Sequence, residues 1–198
     1  MIIKRERSPL AIILLAVLLV VIACVSLTFG QIDVPVGKNL ITNSEFEMSE
    51  DGSLAGWENA VTAPGDATFE AGDGKITYSV ENVGEADWNI QLKQMGLSLE
   101  QGESYTLKCT LVSDVDRVVK VAVMTPSAGY AWHGGEDVVL TAGEAKDVTL
   151  TITPKEEVFT DGITVDTGAG LFFSMGYVEG YTLGAHTVSI SNVSFVKN

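Results

Sequence analysis

Amide, hydroxyl and aromatic side chains occupy alternate positions in two apolar segments of the chain. Asn89 and Gln91 alternate with apolar residues in one segment, and Phe172 and Ser174 do so in the other. Because alternate side chains of a strand point to opposite faces of a sheet, these four are predicted to share one polar face. Amides can bond paired hydroxyl groups and a flat ring can cover a C–H face, which suits sugar recognition. An ordinary solvated sheet face carries similar residues, so composition leaves both interpretations open.

Catalytic patterns are not evident in the sequence. The two histidines, His133 and His186, are far apart, and no nucleophile elbow, metal-binding histidine motif or phosphate loop occurs. Cys109 lies in an alternating segment and is predicted to be a buried apolar residue rather than a reactive thiol. We therefore predict that the chain is not an enzyme.

Period-two hydrophobic runs, broken by Gly, Asp and Asn, dominate the chain after residue 38. Many short strands at this spacing predict an all-β fold, an antiparallel β-sandwich. The predicted strands are Asn39–Phe46, Ala67–Glu70, Lys75–Val80, Trp88–Lys93, Tyr105–Val112, Val118–Met124, Asp137–Thr141, Asp147–Thr153, Gly170–Met175 and His186–Val196.

Two tryptophans are predicted to be core residues. Trp57 follows a turn, and Trp88 is in phase with Ile90 and Leu92.

The charge of the chain restricts its partners. The 198 residues carry a formal net charge of −14, and because the first thirty hold three basic groups and one acid, the remainder carries −16. Proteins that bind nucleic acid need a basic face, so we expect no nucleic-acid partner.

The N-terminus contains an uninterrupted apolar run from Pro9 to Phe29, directly behind Lys4, Arg5 and Arg7. About 20 apolar residues are needed for a helix to cross a bilayer, so residues 1–30 are predicted to be a membrane anchor or signal segment. Residues 31–38 are predicted to be a linker and residues 39–198 the sandwich domain. The basic N-terminus places the domain on the extracellular side of the cell membrane.

Other interpretations of the same run stay open. Val21-Ile22-Ala23-Cys24 resembles a lipobox, which would put a lipid on Cys24. A cleaved secretory signal is a second alternative. Arg7-Ser8-Pro9-Leu10 before an apolar helix resembles the leader of archaeal type IV pilins, which would imply self-assembly into a filament.

Six motifs follow one another along the domain. They are Asn39-Leu-Ile-Thr-Asn-Ser-Glu-Phe-Glu47, Gly56-Trp57, Trp88-Asn-Ile-Gln-Leu92, Leu99-Glu-Gln-Gly-Glu-Ser-Tyr-Thr-Leu107, Leu171-Phe-Phe-Ser-Met-Gly176 and Val188-Ser-Ile-Ser-Asn-Val-Ser-Phe195. Their order resembles that of the jelly-roll carbohydrate-binding modules of families four, nine and twenty-two. The resemblance covers nearly all of residues 39–197.

This resemblance implies a jelly roll that binds a glycan on a concave sheet face or at a loop rim. Asn89, Gln91 and Ser174 match the concave positions of the family. The positions of the aromatic residues that stack on sugars vary within the family. In this sequence the best candidates are Tyr130 and Trp132, with His133 beside them, in the glycine-containing loop 126–135. Trp132 could instead plug one end of the sandwich.

The resemblance also implies a structural calcium ion between the first and last strands. Glu47 matches the acid of the family motif, whereas Ser191 stands where the family has aspartate. Taken together, the sequence predicts a membrane-tethered, extracellular, non-catalytic glycan-binding module. The alternative is a structural surface protein, such as a pilin-like filament subunit with a β-sandwich head.

Overall fold

Ten antiparallel strands form two five-stranded sheets in the computed structural model, which describes residues 34–198. The first sheet has the order β1-β4-β9-β6-β7 and the second the order β2-β3-β10-β5-β8. The strands are β1 Glu58–Val61, β2 Asp66–Gly72, β3 Lys75–Asn82, β4 Ile90–Glu100, β5 Tyr105–Ser113, β6 Arg117–Thr125, β7 Ala131–Leu140, β8 Lys146–Ile152, β9 Val165–Ser174 and β10 His186–Lys197. Short 3₁₀ turns lie at Asp87–Asn89, Pro126–Ala128 and Glu156–Val158.

The alternation of apolar residues selects the inner face of each strand. Ile90 and Leu92 of β4, Leu107 of β5 and Phe173 of β9 are fully buried between the sheets, as predicted. Cys109 also lies in this core, and burial raises the pKa of its thiol to about 12, so it is a packing residue. The antiparallel sandwich predicted from the sequence is confirmed.

One predicted strand is wrong and one was missed. Residues 39–46 do not form a strand: Asn39 makes an isolated bridge with Val196, and residues 42–45 form turns. The Asn39 side chain holds this segment against β10. The Asn39 Oδ1 atom accepts a bond from the Phe195 amide at 2.9 Å, and Asn39 Nδ2 donates to the Val193 carbonyl at 3.3 Å. The missed strand is β1, a four-residue edge strand that pairs with β4. The other predicted strands are present, several of them longer than predicted.

Part of the predicted linker belongs to the folded domain. Val34 is buried, and its amide donates to Glu100 Oε1 at 2.6 Å. Val36 forms a bridge with Lys197 in β10. The predicted anchor, the lipidation of Cys24 and the pilin-type leader all fall in residues 1–33, outside the described part of the chain. Within residues 34–198, no helix has the length and apolar character needed to cross a membrane.

Trp88 is not a core residue, contrary to the sequence prediction. The 3₁₀ turn Asp87–Asn89 precedes β4 and breaks the two-residue period at this point. As a result the Trp88 side chain is 54% exposed, whereas Asn89 is only 2% exposed. Trp57 is buried against Phe46 and Phe173, as predicted.

A buried arginine joins the end of β9 to both sheets. Arg117, at the start of β6, is fully buried, and burial lowers its pKa to about 10, which leaves it charged at neutral pH. Its guanidinium donates to the Met175 and Gly176 carbonyls and to Nε2 of His186. Arg117 thereby fixes the chain where it leaves β9.

Both histidines of the domain are held neutral. An arginine can only donate, so His186 Nε2 accepts from Arg117 and His186 Nδ1 donates to the Gly184 carbonyl at 2.7 Å. His133 Nδ1 accepts from the Lys155 amide at 3.0 Å, so its Nε2 donates to Thr125 Oγ1 at 2.8 Å. Burial lowers the pKa of both imidazoles, and for His186 the charge of Arg117 acts in the same direction.

These lowered pKa values predict acid sensitivity. Below about pH 6.5 the unfolded chain binds protons at both histidines that the folded chain binds less readily, so stability falls as the pH drops. We expect the Tm, followed by circular dichroism, to be constant above about pH 7 and to fall by a few degrees by about pH 5. The lowered pKa of Asp114 and Glu100 matters only at lower pH. A Tm that does not change between pH 7 and pH 5 would contradict this.

Candidate functional site

A groove of about 670 Å³ lies on the outer face of the first sheet. Its floor is built by outward-facing residues of β4, β9 and β6, and its ends by two of the 3₁₀ turns with the residues that follow them. The lining residues are Asp87, Trp88, Gln91, Lys93, Met95, Lys120, Met124, Pro126, Tyr130, Trp132, Phe172 and Ser174.

The strand register divides the floor into a polar end and an apolar end. Gln91, Ser174 and Lys120 stand opposite one another on three adjacent strands, and Gln91 Nε2 donates to Ser174 Oγ at 2.9 Å. The next row contains Lys93 and Phe172.

The third row of the floor is apolar. It holds Met95, Gly170 and Met124 on the same three strands, and Trp132 of β7 stands opposite Met124. A Cβ atom at Gly170 would lie 2.5 Å from Met95 Sδ, so glycine is what lets the methionine lie across the floor. This end of the groove is therefore suited to apolar contact.

Exposed aromatic rings stand at both ends of the groove. Trp88 lies at the polar end, whereas Tyr130 and Trp132 lie at the apolar end and are 61% and 40% exposed. The ring of Trp132 rests on Gly135, where a Cβ atom would come within 2.6 Å of Trp132 Cζ2. The indole of Trp132 thus lies against its own strand while the side chain stays partly exposed in the groove, which suits stacking on a ligand.

Tyr130 is held in an unfavourable backbone conformation. Its φ angle is +61°, in the left-handed region that costs a non-glycine residue about 1–2 kcal/mol. Gly129 before it has φ of +64°, and the Tyr130 amide donates to the Pro126 carbonyl at 3.4 Å. The tight turn after β6 thus projects an exposed ring beside Trp132, a form of strain that clusters at ligand sites.

The two lysines of the groove are neutralised locally. Lys93 Nζ lies 2.9 Å from Glu58 Oε1 on the neighbouring strand, and Lys120 Nζ donates to Asp87. The hydrogen bond to Asp87 raises the pKa of Lys120, so the ammonium stays charged. Each cation therefore has its own carboxylate, and the groove offers donors and acceptors to a neutral ligand.

Five residues predicted from the sequence meet in this groove. They are Gln91, Phe172 and Ser174 on the floor, with Tyr130 and Trp132 at one end. They meet because Gln91, Phe172 and Ser174 share the outward phase of β4 and β9, and the turn after β6 carries Tyr130 and Trp132. Trp132 is partly exposed, so it does not close one end of the sandwich, which was the alternative interpretation.

Asn89 is placed elsewhere, and its predicted position on the polar face is corrected. Its side chain turns inward and binds the backbone: Oδ1 accepts from the Glu85 and Ala86 amides at 2.9 and 2.8 Å, and Nδ2 donates to the Thr62 carbonyl at 3.0 Å. All its polar atoms are used, so Asn89 shapes the turn that carries Trp88.

His133 is also placed away from the groove. It lies on β7 with an inward side chain, where it bonds Thr125 and the Lys155 amide, and Thr125 in turn donates to Asp166. This buried chain of bonds closes the base of the loop that carries Tyr130. His133 supports the aromatic loop and does not line the groove.

Sequence reasoning missed several groove residues. The sequence pattern places Trp88 in the core, and the predicted binding residues do not include Lys93, Lys120, Met95 or Met124. Lys93 has the same outward phase as Gln91, so the sequence pattern already places it on the polar face. Lys120 and Met124 enter the groove only through the pairing of β6 with β9.

Glu47 does not lie in a cluster of metal-ligating side chains. Within residues 34–198, no group of three or more His, Cys, Asp and Glu side chains is arranged so that it could hold a metal ion, whereas calcium takes six to eight oxygen ligands. Glu47 is exposed, and its amide donates to Asn43 Oδ1 at 2.8 Å in a local turn. The role of Glu47 as a calcium ligand stays a prediction without support from these contacts.

The fold and the groove define a class of protein: an antiparallel two-sheet β-sandwich with an aromatic-ended groove on one sheet. Residues 38–167 match the family described as "Carbohydrate binding domain" (CBM_4_9), and the chain belongs to this family. The family is non-catalytic, in agreement with the prediction that the chain is not an enzyme. No curated protein sequence matches this chain.

Solved structures show the same fold. A domain described as CBM4 is 19% identical, with a TM-score of 0.63, and the match covers 80% of this chain and 99% of that one. The N-terminal cellulose-binding domain of Cellulomonas fimi β-1,4-glucanase C is 20% identical, with a TM-score of 0.57, covering 81% and 98%. The second such domain of that enzyme is 22% identical, with a TM-score of 0.56, covering 85% and 99%.

Proposed function

We propose that the groove binds a neutral glycan, or one poor in uronic acid, and that the domain works as a surface glycan-capture module. The observation that carries this proposal is the pairing of exposed aromatic rings at both ends of the groove with the bonded Gln91–Ser174 pair on its floor. Rings can stack on the C–H faces of sugars while the amide and hydroxyl bond the hydroxyl groups between them.

The charge of the domain supports the choice of a neutral ligand. The groove lysines are already paired with Glu58 and Asp87, so a sugar carboxylate would have to displace a resident one. The domain as a whole is strongly acidic, which disfavours the approach of a polyanion.

A glycan array tests the proposed function. Labelled protein is expected to bind neutral oligosaccharides and to bind polyuronates weakly. No binding to any glycan at millimolar concentration would contradict the proposal and would favour a purely structural surface role.

We further propose that the module is tethered to the cell membrane with its domain outside the cell. The support is the apolar run from Pro9 to Phe29 behind three basic residues, which suits a spanning helix with a cytoplasmic N-terminus. Lipidation at Cys24 would give the same placement of the domain.

Protease treatment of intact cells is expected to remove the domain and to leave the N-terminal stub in the membrane fraction. The measurement is an immunoblot with one tag at each terminus, and a cytoplasmic protein serves as the control for lysis. A domain that resists protease on intact cells but is cut after lysis would contradict the orientation.

A further inference from the structure

A second hollow adjoins the polar end of the groove. It has a volume of about 250 Å³ and is lined by Ala86, Asp87, Lys120, Asp137, Tyr177, Val178 and Glu179. Asp87 and Lys120 line both spaces, so their ion pair forms the boundary between them. Trp88 lines only the groove and Tyr177 only the hollow.

The side chain of Tyr177 is exposed, and the backbone that carries it is held by hydrogen bonds. Its side chain is 40% exposed, and its amide donates to the Ala86 carbonyl at 3.1 Å. The preceding Gly176 donates to the Asp87 carbonyl at 2.9 Å and packs so closely that a Cβ atom there would lie 2.1 Å from the Ala86 carbonyl oxygen. The segment that carries Tyr177 is thus bound to the same turn that carries Trp88.

The polar groups of the hollow are mostly acceptors. Asp137 is exposed and stands opposite Lys120 in the register of β6 and β7, and Glu179 is exposed in the loop after β9. A carboxylate can accept hydrogen bonds from two neighbouring hydroxyl groups, and an aromatic ring can cover the C–H face of the same sugar. A negatively charged substituent would meet three carboxylates and one ammonium.

We propose that this hollow is a subsite for a neutral side-branch sugar, so that the domain prefers branched glycans to linear ones. The inference rests on the proposed function of the groove. A linear glycan that stacks on Trp88 does not contact Tyr177. A branch carried by the sugar unit above the Asp87–Lys120 pair, however, enters the hollow. Tyr177 stacks on that branch, and Asp137 and Glu179 accept bonds from its hydroxyls.

The test is calorimetric titration of the full-length protein, in a detergent without a sugar headgroup, with matched linear and branched oligosaccharides. Both oligosaccharides have the main-chain sugar that the glycan array identifies. For a β-1,4-glucan, the matched pair is cellotetraose and the xylose-branched xyloglucan heptasaccharide. The branched ligand is expected to bind several-fold to about tenfold more tightly. Tyr177→Ala should abolish this difference and leave the linear affinity unchanged, whereas Tyr177→Phe keeps the ring and should retain it.

Three results would overturn the inference. They are equal affinity of the wild type for both ligands, an equal loss of both affinities in Tyr177→Ala, and tightest binding of a branch that ends in glucuronic acid. None of these three results contradicts the proposal that the wild-type groove binds a glycan. Absence of binding to either ligand would instead remove the proposed function and this inference with it.

Discussion

Replacing Trp132 with alanine is expected to weaken glycan binding by roughly tenfold or more while the domain stays folded. The Trp132 side chain is exposed in the groove, and loss of a large apolar contact with the ligand costs about 1.5–3 kcal/mol. Calorimetric titration with the best glycan of the array measures the loss, and thermal melting measures the stability.

Two variants control for this substitution. Trp132→Phe keeps a ring over Gly135 and should retain most of the affinity. Val139→Ala removes an exposed apolar side chain from the same strand, outside the groove, and should change nothing. A sharp fall in Tm for Trp132→Ala, with unchanged affinity, would show that the residue has a structural role and that the stacking assignment is wrong.

Replacing Arg117 with alanine is expected to lower the free energy of unfolding by about 3 kcal/mol or more. The substitution leaves a cavity in a closed interior and removes the donor to the Met175 carbonyl and to Nε2 of His186. Chemical denaturation followed by tryptophan fluorescence provides the measurement.

The matched control is Lys108→Ala, which removes an exposed cation from β5 and should change stability by less than about 0.5 kcal/mol. Because Arg117 fixes the chain between Ser174 and Tyr177, its loss should also weaken glycan binding before the domain unfolds. An Arg117→Ala protein with wild-type stability would contradict the structural role assigned to this buried cation.

The inward faces of the long strands could be predicted from the sequence because each obeys a strict two-residue period. Ile90, Leu107 and Phe173 are buried for this reason, and the outward positions of Gln91 and Ser174 follow from the same rule. That Gln91 and Ser174 lie next to each other could be inferred only from the family resemblance, because the sequence of neither strand determines the register between β4 and β9.

The errors have a common cause in contacts between distant segments. Asn89 is buried because the Thr62 carbonyl and a turn before β4 satisfy its amide, and that turn exposes Trp88. His133 is buried because a backbone amide at Lys155 meets its ring. The local sequence pattern does not contain these distant backbone partners. Asn89 and His133 are therefore predicted as ligand contacts, although both have structural roles.

We propose that a glycan binds to the outer face of the first sheet, between Trp88 and Trp132. Nuclear magnetic resonance of isotope-labelled protein tests this directly, with the glycan added stepwise and the chemical shifts followed residue by residue. We expect saturable shifts of the indole N–H signals of Trp88 and Trp132 and of the Gln91 side-chain amide, whereas the indole signal of Trp57, which lies in the core, should not change. Shifts confined to the outer face of the second sheet, around Thr110 and Asn192, would contradict it.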